Sequence, residues 1–385
     1  MKVLSLFDGM ACGMLAMQSA GIKVDRYVAF EIDKYAVQTS QHNFPMIEHR
    51  GDVFQADFTE FSGFDFLVGG SPCTYWSIAQ KNNRETEASG MGMELFSQYV
   101  RALREAAPMY FIYENNKSMA KAIRESITDT FGFEPVCINS ALVSAQNRQR
   151  LYWVGKRNLD GTYSQVKVEQ PVDRGIILRD ILEPLQALGE TNGKSFALTA
   201  TYWKGQPKNK ILEKSQRTHA LEPVRIGALP RPNGELSTSQ AFRVYSTEGK
   251  SVNLTSGGGG AGGKTGLYAI AVEFTDGIPT KAVSGTDGKT YTVYEVKDGL
   301  ITIKGKQYPI KLADGYYIIR KLTVSECKRL QTVPEWYEFP VSDTQAYKML
   351  GNGWTVEVIA HLINATQTEE LEEEQLDLFK MLGVM

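Results

Sequence analysis

A short apolar run, Lys2-Val3-Leu4-Ser5-Leu6-Phe7, gives way to Asp8-Gly9-Met10-Ala11-Cys12-Gly13 and then to Met14-Leu15-Ala16-Met17. The run suits one buried strand, and the last piece reads as helix. Strand, glycine turn and helix in that order open a doubly wound α/β sheet, because a right-handed crossover returns the chain to a parallel neighbour. Gly9 permits the tight turn, and amides at the helix start can meet a polar ligand. The next apolar run, Tyr27 to Phe30, ends in Glu31, where an acid commonly takes the two hydroxyls of a ribose. Gly51-Asp52-Val53 closes a third unit and places Asp52 to accept from an exocyclic amine. Polar groups at three successive strand ends, with no phosphate cradle, describe a nucleoside-bearing cofactor. They favour S-adenosylmethionine over a dinucleotide.

Phe64 to Val68 reads as a buried strand leading into Gly69-Gly70-Ser71-Pro72-Cys73-Thr74-Tyr75-Trp76-Ser77. Proline stops the strand and leaves a thiol at its carboxyl end, where open α/β sheets bind ligands. Such a thiol is a nucleophile if its pKa is lowered or its target activated. The polar segment 74–93 has the length of a closing loop, and Leu95 to Ala107 reads as helix. The strand Met109 to Tyr113 ends in Glu114-Asn115-Asn116, so a carboxylate faces the crevice that holds Cys73. A strand from Glu134 to Ile138 precedes Gln146-Asn147-Arg148-Gln149-Arg150. If that stretch is extended, Gln146, Arg148 and Arg150 share a face, and two adjacent arginines need an anion opposite.

Charge excludes less than its total suggests. The net value is −2, yet residues 191–265 carry +7 and residues 369–379 carry −6. A basic middle segment suits phosphate binding. Four separated cysteines, with no CxxC pair, suit free thiols in a reducing cytoplasm, and the histidines show no metal-ligand spacing. No run reaches membrane-spanning length, and the start lacks signal-peptide character, so a cytoplasmic monomer is expected.

Composition shifts after Arg157 into a strand- and turn-rich region. Within it, residues 257–266 hold seven glycines between two strand-like runs, Phe242 to Tyr245 and Leu267 to Ile270. Backbone approach to phosphates is the reading preferred there over a linker. The organisation expected is 1–157 catalytic and cofactor-binding, 158–318 a smaller strand-rich domain, 319–367 a return segment, and 368–385 an acidic tail. Thr323 with Glu326 marks a helix start in the return. A further helix runs from Thr355 to Ala365.

In this order, Phe7-Asp8-Gly9, Glu31, Asp52, Pro72-Cys73, Glu114-Asn115, Gln146-x-Arg148-x-Arg150, Arg320-Lys321-Leu322-Thr323-x-x-Glu326 and Gly351-Asn352 resemble the motifs of the DNA cytosine-C5 methyltransferases. The resemblance covers roughly 1–157 and 318–366. It implies a Rossmann-like S-adenosylmethionine-dependent sheet with a target-recognition domain in the middle. By the same resemblance Cys73, Glu114, Arg148 and Arg150 are catalytic. The implied cofactor set is Phe7, Asp8, Gly9, Met10, Glu31, Ile32, Asp52, Val53, Gly70, Pro72, Leu95, Asn352 and Trp354. Duplex DNA is the implied partner, with Ser77, Arg217, Arg225, Arg231, Gln240, Arg243, Thr255, Gly258, Gly259 and Lys264 as its expected contacts.

The chain departs from the pattern where Ala11 and Cys12 replace common glycines, where Thr74 follows the cysteine, at Asn116, and at Gly353 in place of a serine or alanine. The tail's Gln375-Leu376-Asp377-Leu378-Phe379 resembles the pentapeptide by which bacterial proteins bind the replicative sliding clamp. A terminal helix packed on its own domain is the alternative. Two other functions stay open: a tRNA cytosine methyltransferase on the same scaffold, and a catalytically silent DNA-binding relative.

Overall fold

The computed structural model describes the chain apart from residues 78–83, 188–221, 238, 257–261, 275–278 and 382–385, and apart from the side chains of residues 73, 186, 187 and 369–381. The first sheet is built from β1 (Lys2–Leu6), β2 (Arg26–Phe30), β3 (Glu48–His49), β4 (Phe66–Gly69), β5 (Tyr110–Asn116), β6 (Val136–Asn139), β7 (Gln149–Arg157) and β8 (Tyr163–Gln165). Their order is β3-β2-β1-β4-β5-β7-β6, with β8 paired to β7. The first five are parallel, and β7 runs antiparallel between β5 and β6. The sheet therefore continues past Arg157 to Gln165.

Alternation along each strand buries both faces, as a sheet covered by helices on both sides requires. Val3, Ala29, Val68 and Ile112 pack beneath α1 (Cys12–Ser19) and α7 (Val356–Met381), with α2 (Lys34–Asn43) beside them. Leu4, Val28, Phe30, Leu67, Phe111 and Tyr113 pack beneath α3 (Met91–Ala106) and α4 (Lys121–Phe131). β1 neighbours both β2 and β4, so the strand order reverses there. Ligands bind at such a reversal, outside the carboxyl ends of the strands.

The second sheet comprises β9 (Leu185–Ala187), β10 (Arg225–Ala228), β11 (Arg243–Ser246), β12 (Leu267–Ala271), β13 (Ala282–Gly285), β14 (Thr290–Lys297), β15 (Leu300–Ile303), β16 (Lys306–Pro309) and β17 (Gly315–Arg320). β17 lies between β12 and β14, so this sheet runs to Arg320. Ile226, Val244, Leu267, Val296, Ile301 and Ile310 form its own core.

From β17 the chain returns through α5 (Val324–Leu330) and α6 (Asp343–Asn352) to α7, which packs on α1. Thr323 and Glu326 form the expected capping box. Glu326 also receives two short hydrogen bonds from Arg320, 2.7 and 2.6 Å, and one from Glu183 N. This buried pair ties the return to the entry of the second domain.

Three local expectations change. Strand β7 begins at Gln149, so Arg148 and Gln146 do not share a strand face with Arg150. Asn139 is the cause: its Oδ1 accepts from Arg148 N and Ala141 N and turns the chain before the strand starts. Helix α3 begins four residues early, at Met91, because Glu85 accepts from Gly92 N in its first turn. The last helix does not stop at Ala365, and its backbone continues to Met381.

Candidate active site

Leu6 pairs with Gly69 and Gly69 with Tyr113, so the carboxyl ends of β1, β4 and β5 lie side by side. A Cβ on Gly70 would stand 2.7 Å from the Glu114 carbonyl oxygen and 2.9 Å from Glu114 Oε2. Glycine is what lets the end of β4 press against the carboxylate. Ser71 Oγ lies 2.7 Å from Tyr113 OH, and Asn115 Nδ2 donates to Ser71 O at 3.2 Å. The loop after β4 is thus stapled to the strand that carries Glu114. Cys73 opens a single 3-10 turn, Cys73–Tyr75, and its neighbours Pro72 and Thr74 line one pocket with Glu114, Arg148 and Arg150.

Both oxygens of Glu114 are engaged. Arg150 Nε lies 3.0 Å from Oε1, and Trp354 Nε1 donates to Oε2 at 2.9 Å. The Arg150 and Glu114 side chains are 10% and 12% exposed. This fixes the carboxylate's orientation in the way a preorganised site requires. Arg148 acts elsewhere. Its guanidinium donates to Asn253 Oδ1 (2.9 Å), Leu254 O, Gly351 O and Gly353 O (2.8 Å). It therefore joins the first sheet, the second domain and the return segment at one point. The ion pair with Glu114 belongs to Arg150. A Cβ on Gly351 would meet the Thr255 carbonyl carbon at 2.4 Å, so α6 and the stem of the glycine-rich loop touch through backbone.

Beside Glu114 the same pocket is walled by Phe7, Asp8, Gly9, Met10, Glu31, Gly70, Pro72, Asn352 and Trp354. Glu31 accepts from Gly9 N, Ile32 N and Asp33 N, each at 2.8 Å. It holds the first turn against the end of β2. Asp8 Oδ1 accepts from Ser5 Oγ and Tyr27 OH, while the buried Oδ2 has no donor among the described residues. Burial pushes the Asp8 carboxyl up to about 6. An acid with shareable lone pairs and a buried carboxylate lacking a donor fit a nucleoside ligand that carries a cationic group. Phe7 and Ala11 both hold left-handed backbone, φ 57° and 60°, so the turn sits in a sparsely populated conformation. Ile32, Asp52, Val53 and Leu95 are not among the walls. Asp52 uses Oδ1 to cap the turn Val53–Gln55, accepting from Phe54 N.

Pocket and second domain are joined by a cleft of about 690 Å³ whose walls include Ser77, Asn147, Arg150, Gln240, Asn253 and Thr255. Of the expected DNA contacts, Ser77, Gln240 and Thr255 thus meet at the mouth of the Glu114 pocket. Arg225 and Arg231 are exposed on the second domain away from this cleft, Arg243 is half-buried on β11, and Lys264 donates to Thr344 O on α6. Arg217, Gly258 and Gly259 lie outside the described residues. So do the side chains of Gln375, Leu376, Leu378 and Phe379, whose backbone is helical. Of the segment 74–93 expected to close, residues 78–83 lie outside the described residues. The arms of that loop are tied together: Trp76 Nε1 donates to Glu85 Oε2 at 3.0 Å, and Arg84 donates to Ser118 O at 2.7 Å.

A family model described as C-5 cytosine-specific DNA methylase matches residues 1–368. The chain belongs to that family. It is a DNA cytosine-5-methyltransferase. The methylase is similar to the orphan methyltransferase M.Rho11sI of Bacillus phage rho11s, 28% identical over 313 residues that cover 70% of this chain and 60% of that protein. It is also similar to the orphan methyltransferase M.SPRI of Bacillus phage SPR, 27% identical over 436 residues covering 93% and 95%. The solved S. pombe Dnmt2 methyltransferase shares the fold, with a TM-score of 0.52 and 15% identity over 94% of this chain and 96% of that one. Among the described residues, no helix of the methylase is long and apolar enough to cross a membrane.

Sequence reading missed several residues of the site. Lys348 pairs with Asp33 at the lip of the Glu114 pocket, and Tyr337 OH donates to Met10 O at 2.6 Å. Lys117, Asn147, Gln149 and Asn253 line the cleft. Asn147 and Gln149 are the unspecified positions of the Gln146-x-Arg148-x-Arg150 motif and the others sit in none, and each is placed by a contact more than twenty residues away in the chain. Only the periodicity of α6 hinted that Lys348 and Asn352, four apart, share a face.

Proposed function

We propose that this methylase transfers a methyl group from S-adenosylmethionine to C5 of a cytosine turned out of duplex DNA, through a covalent bond between Cys73 and C6. The observation that carries the reading is the Gly70–Glu114 approach, with Pro72 and Thr74 lining the pocket that Glu114, Arg148 and Arg150 also line. Glu31, Asp8, Gly9, Met10, Asn352 and Trp354 would hold the cofactor, which supplies an electrophilic methyl. Cytosine C5 is too poor a nucleophile to accept it unaided. The Cys73 thiolate adds to C6, and the electrons released into the ring make C5 reactive. Glu114 donates a proton to N3, which neutralises the negative charge developing on the ring, and accepts from the exocyclic amine, while Arg150 keeps its carboxyl group aimed there. C5 takes the methyl, loses its proton to a base, and the restored double bond expels the thiolate. A base inside the duplex cannot reach a strand-end cysteine, so extrusion follows from the mechanism.

Duplex DNA is favoured over tRNA by the cleft between the two domains and by the net +7 that residues 191–265 carry. The test is a labelled-methyl assay on duplex DNA and on tRNA with Cys73→Ala as control. Counts in DNA that vanish in the variant are expected; counts confined to tRNA, or none, overturn the reading. The acidic tail is proposed to bind the replicative sliding clamp, and clamp capture unchanged by alanine at Leu378 and Phe379 would dismiss it.

A further inference from the structure

Gln331 does not line the Glu114 pocket, yet its side chain grips the segment that carries Trp354. The residue ends α5, and its backbone oxygen accepts from Val356 N at 2.9 Å at the start of α7. Its amide is 1% exposed and works at both ends. Nε2 donates to Leu350 O and, at 3.2 Å, to Gly353 O, while Oε1 accepts from Thr355 Oγ1 at 2.9 Å. Carbonyl oxygens only accept, so the amino end must face them and the amide has one orientation. Gly353 precedes Trp354 and Thr355 follows it. One side chain therefore holds the chain on both sides of the indole.

Helix α6 ends at Asn352, and the last carbonyls of a helix find no partner within it. Water would serve them at an exposed end. Here Gln331 takes Leu350 O, Arg148 takes Gly351 O at 3.2 Å, and both converge on Gly353 O, Arg148 at 2.8 Å. Two donors fix the plane of the Gly353–Trp354 peptide, since its carbonyl cannot turn without losing one of them. Thr355 Oγ1 also lies 2.8 Å from Ser140 Oγ, and Ser140 N donates to Arg148 O at 2.9 Å, which closes the ring of contacts. Ser140, Arg148, Gln331 and Thr355 are each no more than 3% exposed, and a hydrogen bond is strongest where water is excluded. From this braced peptide Trp354 Nε1 reaches Glu114 Oε2 at 2.9 Å.

We infer that Gln331 is a positioning residue for methyl transfer: it holds Trp354 where the indole fixes the Glu114 carboxyl group against the cytosine. This rests on the role of Glu114 in the proposed function, and one of two readouts is independent of it. Gln331→Met keeps roughly the same volume and loses both hydrogen-bonding ends. In steady-state methylation of one duplex it lowers kcat about 10-fold, the scale of one lost hydrogen bond to a charged group, and leaves the Kd for DNA unchanged. With Trp354→Phe already in place the indole N–H is gone, and adding Gln331→Met changes kcat by less than about two-fold. Equal falls in the two backgrounds, the mark of a packing role alone, overturn the inference, as does wild-type kcat in Gln331→Met.

Fluorine NMR of the free protein labelled with fluorotryptophan reads the indole itself. The Trp354 line is the one missing from Trp354→Phe. Gln331→Met shifts or broadens that line and leaves the other tryptophan lines in place. Thr355→Val, a milder change that removes the hydroxyl from the Gln331 amide, moves it in the same direction and decides the matter if Gln331→Met does not fold. An unmoved Trp354 line overturns the assignment. Failure of the wild type to methylate duplex DNA, or full activity in Glu114→Gln, counts against the proposed function and leaves the line comparison standing.

Discussion

Gly353 and Cys12 meet in the wall of the Glu114 pocket: a Cβ on Gly353 would stand 3.1 Å from the sulfur of Cys12 and 3.0 Å from Met349 O. Both positions depart from the pattern the chain otherwise resembles, one gaining a side chain where glycine is common and the other losing one. The two changes offset each other in space. The thiol fills the room that a serine or alanine at Gly353 would use, and burial pushes it up to about 12, so it stays protonated and packs as a small apolar group.

Gly353→Ala is therefore expected to overpack this contact and cost about 1–2 kcal/mol of stability, with weaker binding of the demethylated cofactor. Cys12→Gly should restore most of the loss when combined with it, although alone it opens a cavity. A double-mutant cycle in denaturant checks this. Additive effects of the two substitutions would show that the sites are not coupled.

The Glu114 carboxylate is held by Arg150 on one oxygen and Trp354 on the other. Trp354→Phe keeps the ring and removes one hydrogen bond to a charged group, a loss of about 1.5–3 kcal/mol. A fall in kcat of roughly 10-fold or more is expected, with KM for DNA little changed. Glu114→Gln should cost on the order of 10²–10⁴, the range of a positioned acid or base. Steady-state methylation kinetics on one duplex distinguish the two.

Arg320 and Glu326 form a buried pair, 4% and 0% exposed, at the junction of the second domain and the return. Removing one partner leaves a charge in a dry interior. Glu326→Ala should destabilise the protein by about 3–5 kcal/mol, whereas replacing both residues with apolar ones of similar size should cost much less. Thermal unfolding of the single and paired variants measures the difference.

The first sheet was legible because its strands are short apolar runs closed by glycine, and each strand end carries a polar residue. Those signals are local. Glu31, Glu114 and Gly70 could be placed at the crevice from position alone, since strand ends converge in this architecture. Arg148 could not. Its role depends on Asn253, Leu254, Gly351 and Gly353, which lie more than a hundred residues away in the chain. Asn139 gave no warning that it would turn the chain ahead of β7. The second domain was legible only as strand-rich, because its order interleaves early and late strands, with β17 between β12 and β14.

Asp8 gives the methylase a pH dependence of definite sign. Burial raises its carboxyl from 3.8 to about 6 in the folded protein. Between those values the folded state holds a proton that the unfolded state has released. Stability from this group is thus fully present below pH 3.8 and is lost as pH rises through about 6, amounting to about 3 kcal/mol at most. A cationic ligand in the pocket that Asp8 helps to line reverses the preference, because it favours the carboxylate. Affinity for the demethylated cofactor is accordingly expected to tighten as pH rises through about 6 and then level off, while Asp8→Asn binds weakly at every pH with no such step. Calorimetric titration between about pH 5 and 8 reads the step directly. A wild-type curve as flat as that of the variant would remove Asp8 from the cofactor site.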